Sequence, residues 1–226
     1  MTQVSIITVC FNKVNFTLSA LSDLCRLETS NEIICIDNAS TDDTQKKLSS
    51  IGNPNFHYIR NEQNLFHSQA CNQGAHIAKG KYIIFINNDI RVKSNHKHWT
   101  DDVIKHCDEA IVGPTMGVLD NNFNFIKEAN EQLSGNSYLS GWFMASSREN
   151  WDKLCNSEYH PDQIWDEKFP FYFNDTNMGF ECRKLGIPQK VIDVPITHFG
   201  KISAKQINVQ SLYTAGRKTF LEKWEK

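Results

Sequence analysis

Short β-branched runs alternate with stretches of helical periodicity through the first hundred residues, and few folds accommodate that pattern. Residues 4–9 (VSIITV), 32–37 (EIICID), 56–60 (FHYIR) and 81–86 (KYIIFI) have the length and composition of strands. Between the first two, Phe16, Ala20, Leu21 and Leu24 recur at helical spacing up to Arg26; residues 68–78 read as a helix closed by Lys79-Gly80. In NASTDDTQKKL, Ser40 or Thr41 is the expected N-cap of a short helix, with Asp42 and Asp43 in its first turn, where acids favour the helix dipole. Strands alternating with helices build a parallel sheet covered on both faces. Ligands of such open sheets bind beyond the carboxyl ends of the strands. Two of those ends carry chemistry: strand two finishes on Asp37, and strand four runs directly into Asn87-Asn88-Asp89.

The second half is less regular. Residues 98–108 read as a helix, 110–113 as a strand and 116–127 as a hairpin turning through Asp120-Asn121-Asn122. Residues 128–138 hold turn residues and little periodicity. SGWFMASS is apolar, RENWDKL helical, and residues 156–170 irregular and aromatic, a loop length that in a compact domain usually serves a substrate. Residues 175–185 form a helix stopped by Gly186, and residues 190–198 a last strand broken by Pro195. From Lys205 onward, Val209, Leu212, Tyr213, Phe220 and Trp224 fall on one helical face. With no repeat, linker or low-complexity stretch, one domain over residues 1–226 is expected.

Composition removes several function classes. Lys and Arg number 24 against 26 Asp and Glu, a net charge of −2 that excludes a strongly basic nucleic-acid binder. No apolar run approaches the roughly 20 residues of a membrane helix, and MTQVSIITVCFNK lacks the basic start and cleavage site of a signal peptide, so a cytoplasmic location is expected. The seven cysteines are odd in number, widely spread and without a C-x-x-C pair; they read as buried thiols.

Four polar groups converge on the carboxyl edge in this reading: Asp37, residues 87–89, Asn174-Asp175 and His198. They lie in VSIITVCFNK and IDNASTDDT, in NEQNLFHSQACNQGAHIAKGKYIIFINNDI, and in DEKFPFYFNDTNMGFECRKLGI followed by THFGKIS. In order and spacing these segments resemble the family 2 glycosyltransferases of the GT-A fold, particularly the rhamnosyltransferase-like bacterial members. The resemblance covers nearly the whole chain. It implies an α/β fold: a Rossmann-like domain with a mostly parallel central sheet flanked by helices, a small antiparallel region on the acceptor side and a C-terminal helix. Residues 1–113 would then form the nucleotide-sugar-binding half, 114–204 the acceptor-binding and catalytic half, and 205–226 the amphipathic C-terminal helix.

By the same resemblance, Asp37 hydrogen-bonds the nucleotide base, and a carboxylate acceptor suits the N3–H of uracil. Thr8, Cys10 and Asn12 border the base and ribose, and Asn38, Asn64, Asn72, Asn87 and Asn88 count among the donor contacts. Asp89 holds the last place of a D-x-D element whose final acid binds a divalent cation on the donor diphosphate; Asn87 replaces the first acid. One carboxylate, waters and phosphate oxygens suit Mn2+ or Mg2+. His198 matches a histidine at the metal or diphosphate, with Ser203 close behind it. Asp175 matches the general base that takes the proton of an acceptor hydroxyl as it attacks the anomeric carbon with inversion. Asn174 and Asn177 stand where the family usually has acids, and Arg183 matches a basic residue on the same helix. Gly141 would let the donor sugar approach the backbone, and Trp142 and Trp165 would offer faces to sugar rings, with Asn174 and Arg183 beside them. Where the family tends to have Asn-x-Gly-Phe, this chain has Asn64-Leu65-Phe66-His67, a bulky residue in place of a glycine. Histidines other than His198 read as surface or loop residues.

The function expected is an inverting, metal-dependent glycosyltransferase. It would move one sugar from a nucleoside-diphosphate donor, a UDP-sugar before dTDP or GDP, to a hydroxyl of a glycan, lipid-linked or other acceptor. The alternative is a non-catalytic nucleotide-sugar-binding module, consistent with Asn87, Asn174 and Asn177. A dinucleotide oxidoreductase is disfavoured because CFNKVNF follows strand one in place of G-x-G-x-x-G, and a nucleotidyltransferase because a Gly-rich phosphate loop is missing. In the tail Arg217, Lys218, Lys223 and Lys226 flank the aromatic face, which suits docking on the domain, a membrane surface or a homodimer contact; two acids and ordinary length favour docking.

Overall fold

The computed structural model describes residues 3–93, 96–200 and 209–225. The first half runs β1 (Val4–Cys10), α1 (Val14–Leu24), β2 (Asn31–Asp37), α2 (Thr44–Leu48), β3 (Phe56–Arg60), α3 (Phe66–Ile77) and β4 (Tyr82–Ile86). The second half continues with β5 (Ile90–Val92), α4 (Trp99–Ile104), β6 (Ile111–Gly113), β7 (Met116–Leu119), β8 (Phe125–Ala129), β9 (Ser137–Leu139) and β10 (Phe143–Ser147). It ends with α5 (Arg148–Cys155), α6 (Asn174–Lys184), β11 (Gln189–Val191), β12 (Ile196–His198) and α7 (Val209–Trp224).

Seven strands form the central sheet in the order β11-β6-β10-β4-β1-β2-β3. β4, β1, β2 and β3 are mutually parallel, with Val4 opposite both Asn31 and Tyr82. β10 enters antiparallel between β4 and β6, Phe143 opposite Ile86. An antiparallel neighbour brings its amino end to the edge where the parallel strands bring their carboxyl ends. Residues just before β10 therefore lie beside those just after β4, and the Asn87 amide donates to the Trp142 carbonyl at 2.9 Å.

Both faces of the sheet are buried, which is why its strands read as continuous apolar runs. Ile6, Ile33 and Cys35 pack with Ala20, Leu21 and Leu24 of α1 and with Trp99 of α4. Their alternating neighbours Ile7, Ile34 and Ile36 pack with Ala70 and Cys71 of α3 and with Trp151 of α5. Two small sheets flank the carboxyl edge: β12 with β5, and β8-β7-β9. All seven cysteines are free; Cys25 and Cys155 are only partly buried, since both stand at helix ends.

Two local expectations are corrected. Helix α2 starts at Thr44, because the Asp42 carboxylate takes the Thr44 amide at 3.0 Å while Ser40 Oγ accepts the Asn12 amide at 2.7 Å; neither Ser40 nor Thr41 caps it. Residues 190–198 are two strands, not one. Pro195 lacks the N–H a ladder needs, and the chain passes from β11, parallel to β6, to β12, antiparallel to β5.

Helix α7 docks on the body. Phe220 is fully buried against Phe169 and Phe173, and Trp224 Nε1 donates to Asn177 Oδ1 at 3.0 Å. Beneath them Lys223 Nζ binds Glu181 Oε1 at 2.5 Å and Asp166 Oδ2 at 3.0 Å, and Glu181 Oε2 meets His160 Nε2 at 2.7 Å. His160 lies in a loop, as expected, but as a buried ion-pair partner and not on the surface. Among the described residues no helix is long and apolar enough to cross a membrane.

Candidate active site

A cavity of about 310 Å3 opens at the carboxyl edge of β1, β2 and β4, walled on its far side by residues 171–175. Cys10, Asn38, Asn64, Asn87, Asn88 and Asp89 line it from the parallel strands, as the alternation of strand and helix requires.

Asp89 and His198 meet at one end, His198 Nε2 standing 3.1 Å from Asp89 Oδ1 and 3.3 Å from Asn87 Nδ2. The pairing follows from β12 running antiparallel to β5, which places His198 opposite Ile90, and the Phe199 amide donates to the Asp89 carbonyl. Trp142 lies flat on the imidazole, centroids 4.7 Å apart and planes at 11°, and its Nε1 donates to Thr115 Oγ1 at 2.9 Å. The face that sequence reasoning offered to a sugar is used to fix the histidine.

The donor set fits a hard divalent cation. Two ligands at a right angle around a cation with bonds of about 2.1 Å stand about 3 Å apart, the separation of Asp89 Oδ1 and His198 Nε2. Among the described residues no cluster of three His, Cys, Asp or Glu side chains forms, so the remaining positions fall to substrate oxygens and water. Among the described residues that line the cavity are three carboxylates, Asp89, Glu128 and Asp175, and neither lysine nor arginine.

Asp175 opens the first turn of α6. Its Oδ2 accepts the Gly141 amide at 3.0 Å and its Oδ1 the Thr176 amide at 2.7 Å. Burial pushes the carboxyl above its ordinary value; the amides of Gly141 and Thr176 oppose the shift and the charge of Glu128 adds to it. A Cβ on Gly141 would stand 3.0 Å from Asp175 Cβ, so the glycine makes room for the carboxylate, and it also lines the cavity. Glu128 lines the same cavity from β8 and accepts the Ser140 hydroxyl at 2.5 Å. Sequence reasoning passed over it because a lone acid among turn residues carries no spacing signal.

Two non-glycine residues on the wall have left-handed backbone, Phe66 at φ 60° and Phe173 at φ 63°. Each costs on the order of 1 kcal/mol; both residues line the cavity, and the Phe173 ring packs against Phe220 and Tyr213 of α7. Phe66 occupies the place where the family resemblance set a glycine, and its backbone lies in the left-handed region that favours glycine. Next to it His67 also lines the cavity, Nδ1 3.0 Å from Asn174 Nδ2, and burial pulls the imidazole down to about 4, leaving it neutral. This corrects its reading as a surface or loop residue.

Several expected site residues lie elsewhere. Asp37 is fully buried behind the cavity wall, taking the Ser40 amide on Oδ1 and the Tyr58 hydroxyl and Arg60 guanidinium on Oδ2. Thr8 is buried below it, and Asn12 holds the amides of Thr41 and Asp42. Asn72 binds the backbone of Ile164 and Trp165 on both sides of its amide, so it staples a loop. Trp165 is a core residue, edge-on to Phe85 and His67, with no face toward the cavity. Arg183 points away, donating to the Gly135 carbonyl and stacking on Phe180 at 4.1 Å instead of pairing with an acid. Asn88 lines the cavity but gives its amide to Thr17 Oγ1. Ser203 lies outside the described residues.

Residues 5–156 match the profile of Glycosyl transferase family 2. The chain belongs to that family. No curated protein matches it significantly in sequence. Among solved structures it is similar to TarS of S. aureus at 11% identity and a TM-score of 0.62, covering 93% of this chain and 41% of that one. It is also similar to the mannosyltransferase PcManGT from Pyrobaculum calidifontis in complex with GDP-Man and Mn2+, at 12% identity and a TM-score of 0.58, covering 84% of this chain and 54% of the other. GalNAc-T7 with UDP, GalNAc and Mn2+ gives 15% identity and a TM-score of 0.64 over 88% and 44%. The chain spans about half the length of these relatives or less, and at these identities the likeness shows the shared GT-A fold.

Proposed function

We propose that the protein transfers a sugar, with inversion, from a nucleoside-diphosphate donor to a hydroxyl acceptor. The observation that carries this is one cavity holding both ends of the chemistry: a cation-competent pair, Asp89 and His198, and a carboxylate, Asp175, whose position is fixed by two backbone amides. Support comes from family membership and from neighbours of the same fold whose structures hold UDP, UDP-GlcNAc or GDP-Man.

Asp89 and His198 would hold Mn2+ or Mg2+, which when bound neutralises the diphosphate of the departing nucleotide. A cavity wall with three carboxylates and no lysine or arginine among its described residues needs that neutralisation to accept a diphosphate at all. Trp142, stacked on the imidazole, and Asn87 keep the histidine ring oriented. Cys10, Asn38 and Asn64 border the nucleoside. Asp37 acts from behind the wall as a brace on Tyr58 and Arg60, so its contact to a base requires those partners to yield.

Asp175 takes the proton from the acceptor hydroxyl during attack. Oδ1 accepts both the N–H and the hydroxyl of Thr176 and Oδ2 accepts the Gly141 N–H, which leaves the second lone pair of Oδ2 to receive the proton. Asn174 and Asn177 are committed elsewhere, to His67 and Ser68 and to Trp224, so their loss of charge does not remove the base. The test is calorimetry of UDP, dTDP, GDP and CDP with Mn2+, Mg2+ or chelator, followed by Asp175→Asn. Nucleotide binding that requires cation and Asp89, with turnover lost and nucleotide affinity kept in Asp175→Asn, is expected. Turnover retained in that variant removes the base, and no nucleotide binding under any condition removes the function.

A further inference from the structure

Two carboxylates enter the cavity from different sheets. The central sheet supplies the donor side through the ends of β1, β2 and β4, whereas from β8-β7-β9 the described lining is Glu128 alone. Glu128 is exposed. Its Oε1 accepts the Ser140 hydroxyl at 2.5 Å, and its Oε2 has no hydrogen-bond partner among the described residues. Ser140 is held in turn, its amide donating to the Thr115 carbonyl at 3.0 Å. The next residue, Gly141, binds Asp175. A chain of contacts thus runs from Glu128 through Ser140 and Gly141 to Asp175, fixing the two acids relative to each other.

A carboxylate that retains free lone pairs at a cavity mouth is a hydroxyl acceptor, and such charge-assisted bonds are stronger than neutral ones. One hydroxyl of an acceptor goes to Asp175; a molecule carrying a second nearby can also satisfy Glu128. We propose that Glu128 and Ser140 form a subsite for a second hydroxyl group of a polyol acceptor, beside the hydroxyl that Asp175 deprotonates. The inference rests on the reading of Asp175 as the base. A monohydric alcohol leaves Glu128 solvated and gains nothing from it, so the subsite selects sugars and polyols over simple alcohols.

Glu128 also acts on Asp175 through its charge. Facing Asp175 are Glu128 from β8 and the Tyr138 phenol from β9, which burial and the Asp175 charge push far up and keep neutral. From α6 come Asn174 and Thr176, both uncharged, and from α3 the neutral His67 that binds Asn174. Replacing Glu128 by glutamine removes a like charge and lowers the Asp175 titration point.

The experiment follows the Ser140 and Gly141 amide signals of the full chain by NMR during titration with methyl α-glucopyranoside and glycerol, and with 1-propanol as the single-hydroxyl control. Both polyols are expected to shift these signals and 1-propanol not. Glu128→Gln and Ser140→Ala, checked for unchanged melting temperature, weaken the polyol response about tenfold, and Glu128→Asp keeps part of it. The Asp175 carboxyl, read by 13C shift, titrates at lower pH in Glu128→Gln. No polyol shift in the wild type, equal shifts with 1-propanol, or an unchanged response in both variants overturns the subsite. Nucleotide calorimetry separates the two readings: nucleotide binding with no polyol response removes the subsite alone, and loss of both removes the proposed function.

Discussion

Lys223→Met keeps the length of the side chain and deletes its charge, and its cost can be worked from the surroundings. The ammonium is one-fifth exposed and bonds two carboxylates that are essentially inaccessible, Glu181 at 2.5 Å and Asp166 at 3.0 Å. Removing one partner from a buried ion pair costs about 3 to 5 kcal/mol, because the remaining charge stays desolvated. Partial exposure of Lys223 and the retained contact of His160 with Glu181 place this case near 3 kcal/mol. For a chain of 226 residues each kcal/mol moves the melting temperature by about 2 to 4 °C, so a fall of roughly 6 to 12 °C is expected. Differential scanning calorimetry of Lys223→Met, Glu181→Gln and the double variant closes a cycle. The double variant should lose clearly less than the two single losses added, since each change removes the reason for the other's cost. A single-variant shift below about 2 °C, or strict additivity, would refute the cluster as the clamp on α7.

Gly141→Ala puts a methyl 3.0 Å from Asp175 Cβ, where contacts normally lie at about 3.5 to 4.0 Å. The carboxylate must move by roughly half an ångström, so turnover should drop about tenfold or more with nucleotide affinity intact, read by kcat and calorimetry on the same preparation. In the proposed mechanism Asp175 acts deprotonated, and burial holds its carboxyl above the ordinary value, so activity should fall with acidification through a midpoint higher than the roughly pH 4 of a free carboxyl; a pH–rate profile checks this. His160 donates to Glu181 and to the Gln163 carbonyl; burial pulls its pKa down, but these bonds outweigh it and raise it. Its stabilisation is therefore complete below the unfolded value of about 6.5 and lost as pH rises through the folded value. The melting-temperature gap between wild type and His160→Gln should be wider at about pH 6 than at about pH 8.5.

The strands and helices of the parallel half were legible because burial on both faces leaves unbroken runs such as YIIFI. That Asp89, Asp175 and His198 would come together on one cavity was legible because each ends or follows a strand or opens a helix. Residues held by tertiary partners were not. Asn72 and Trp165 sit on or beside elements that line the cavity, and nothing in their spacing reveals that the Asn72 side chain binds the Trp165 backbone and that the indole is buried. Glu128 and His67 needed the small sheet and the loop at Pro170 before their position meant anything; the His67 and Ser68 amides both reach the Pro170 carbonyl. Lys223 looked like a flank of an amphipathic face because its two acids lie 42 and 57 residues away.

The placement of β10 between β4 and β6 bears on how such a protein can diversify. Val112 and Ala145 are register partners, and a side chain at Gly113 would strike the Phe143 carbonyl at 2.7 Å. The chain thus leaves the central sheet at Gly113 and returns beside it at Phe143. The 29 residues between, residues 114–142, are a closed excursion whose two ends nearly touch. Such a segment can be exchanged between relatives with two cuts at neighbouring points and the parallel strands β1 to β4 left whole. Under the proposed function, recombination at Gly113 and Phe143 would exchange Glu128 and Ser140 together with the Gly141 and Trp142 that seat Asp175 and His198, and would keep β1, β2 and β4.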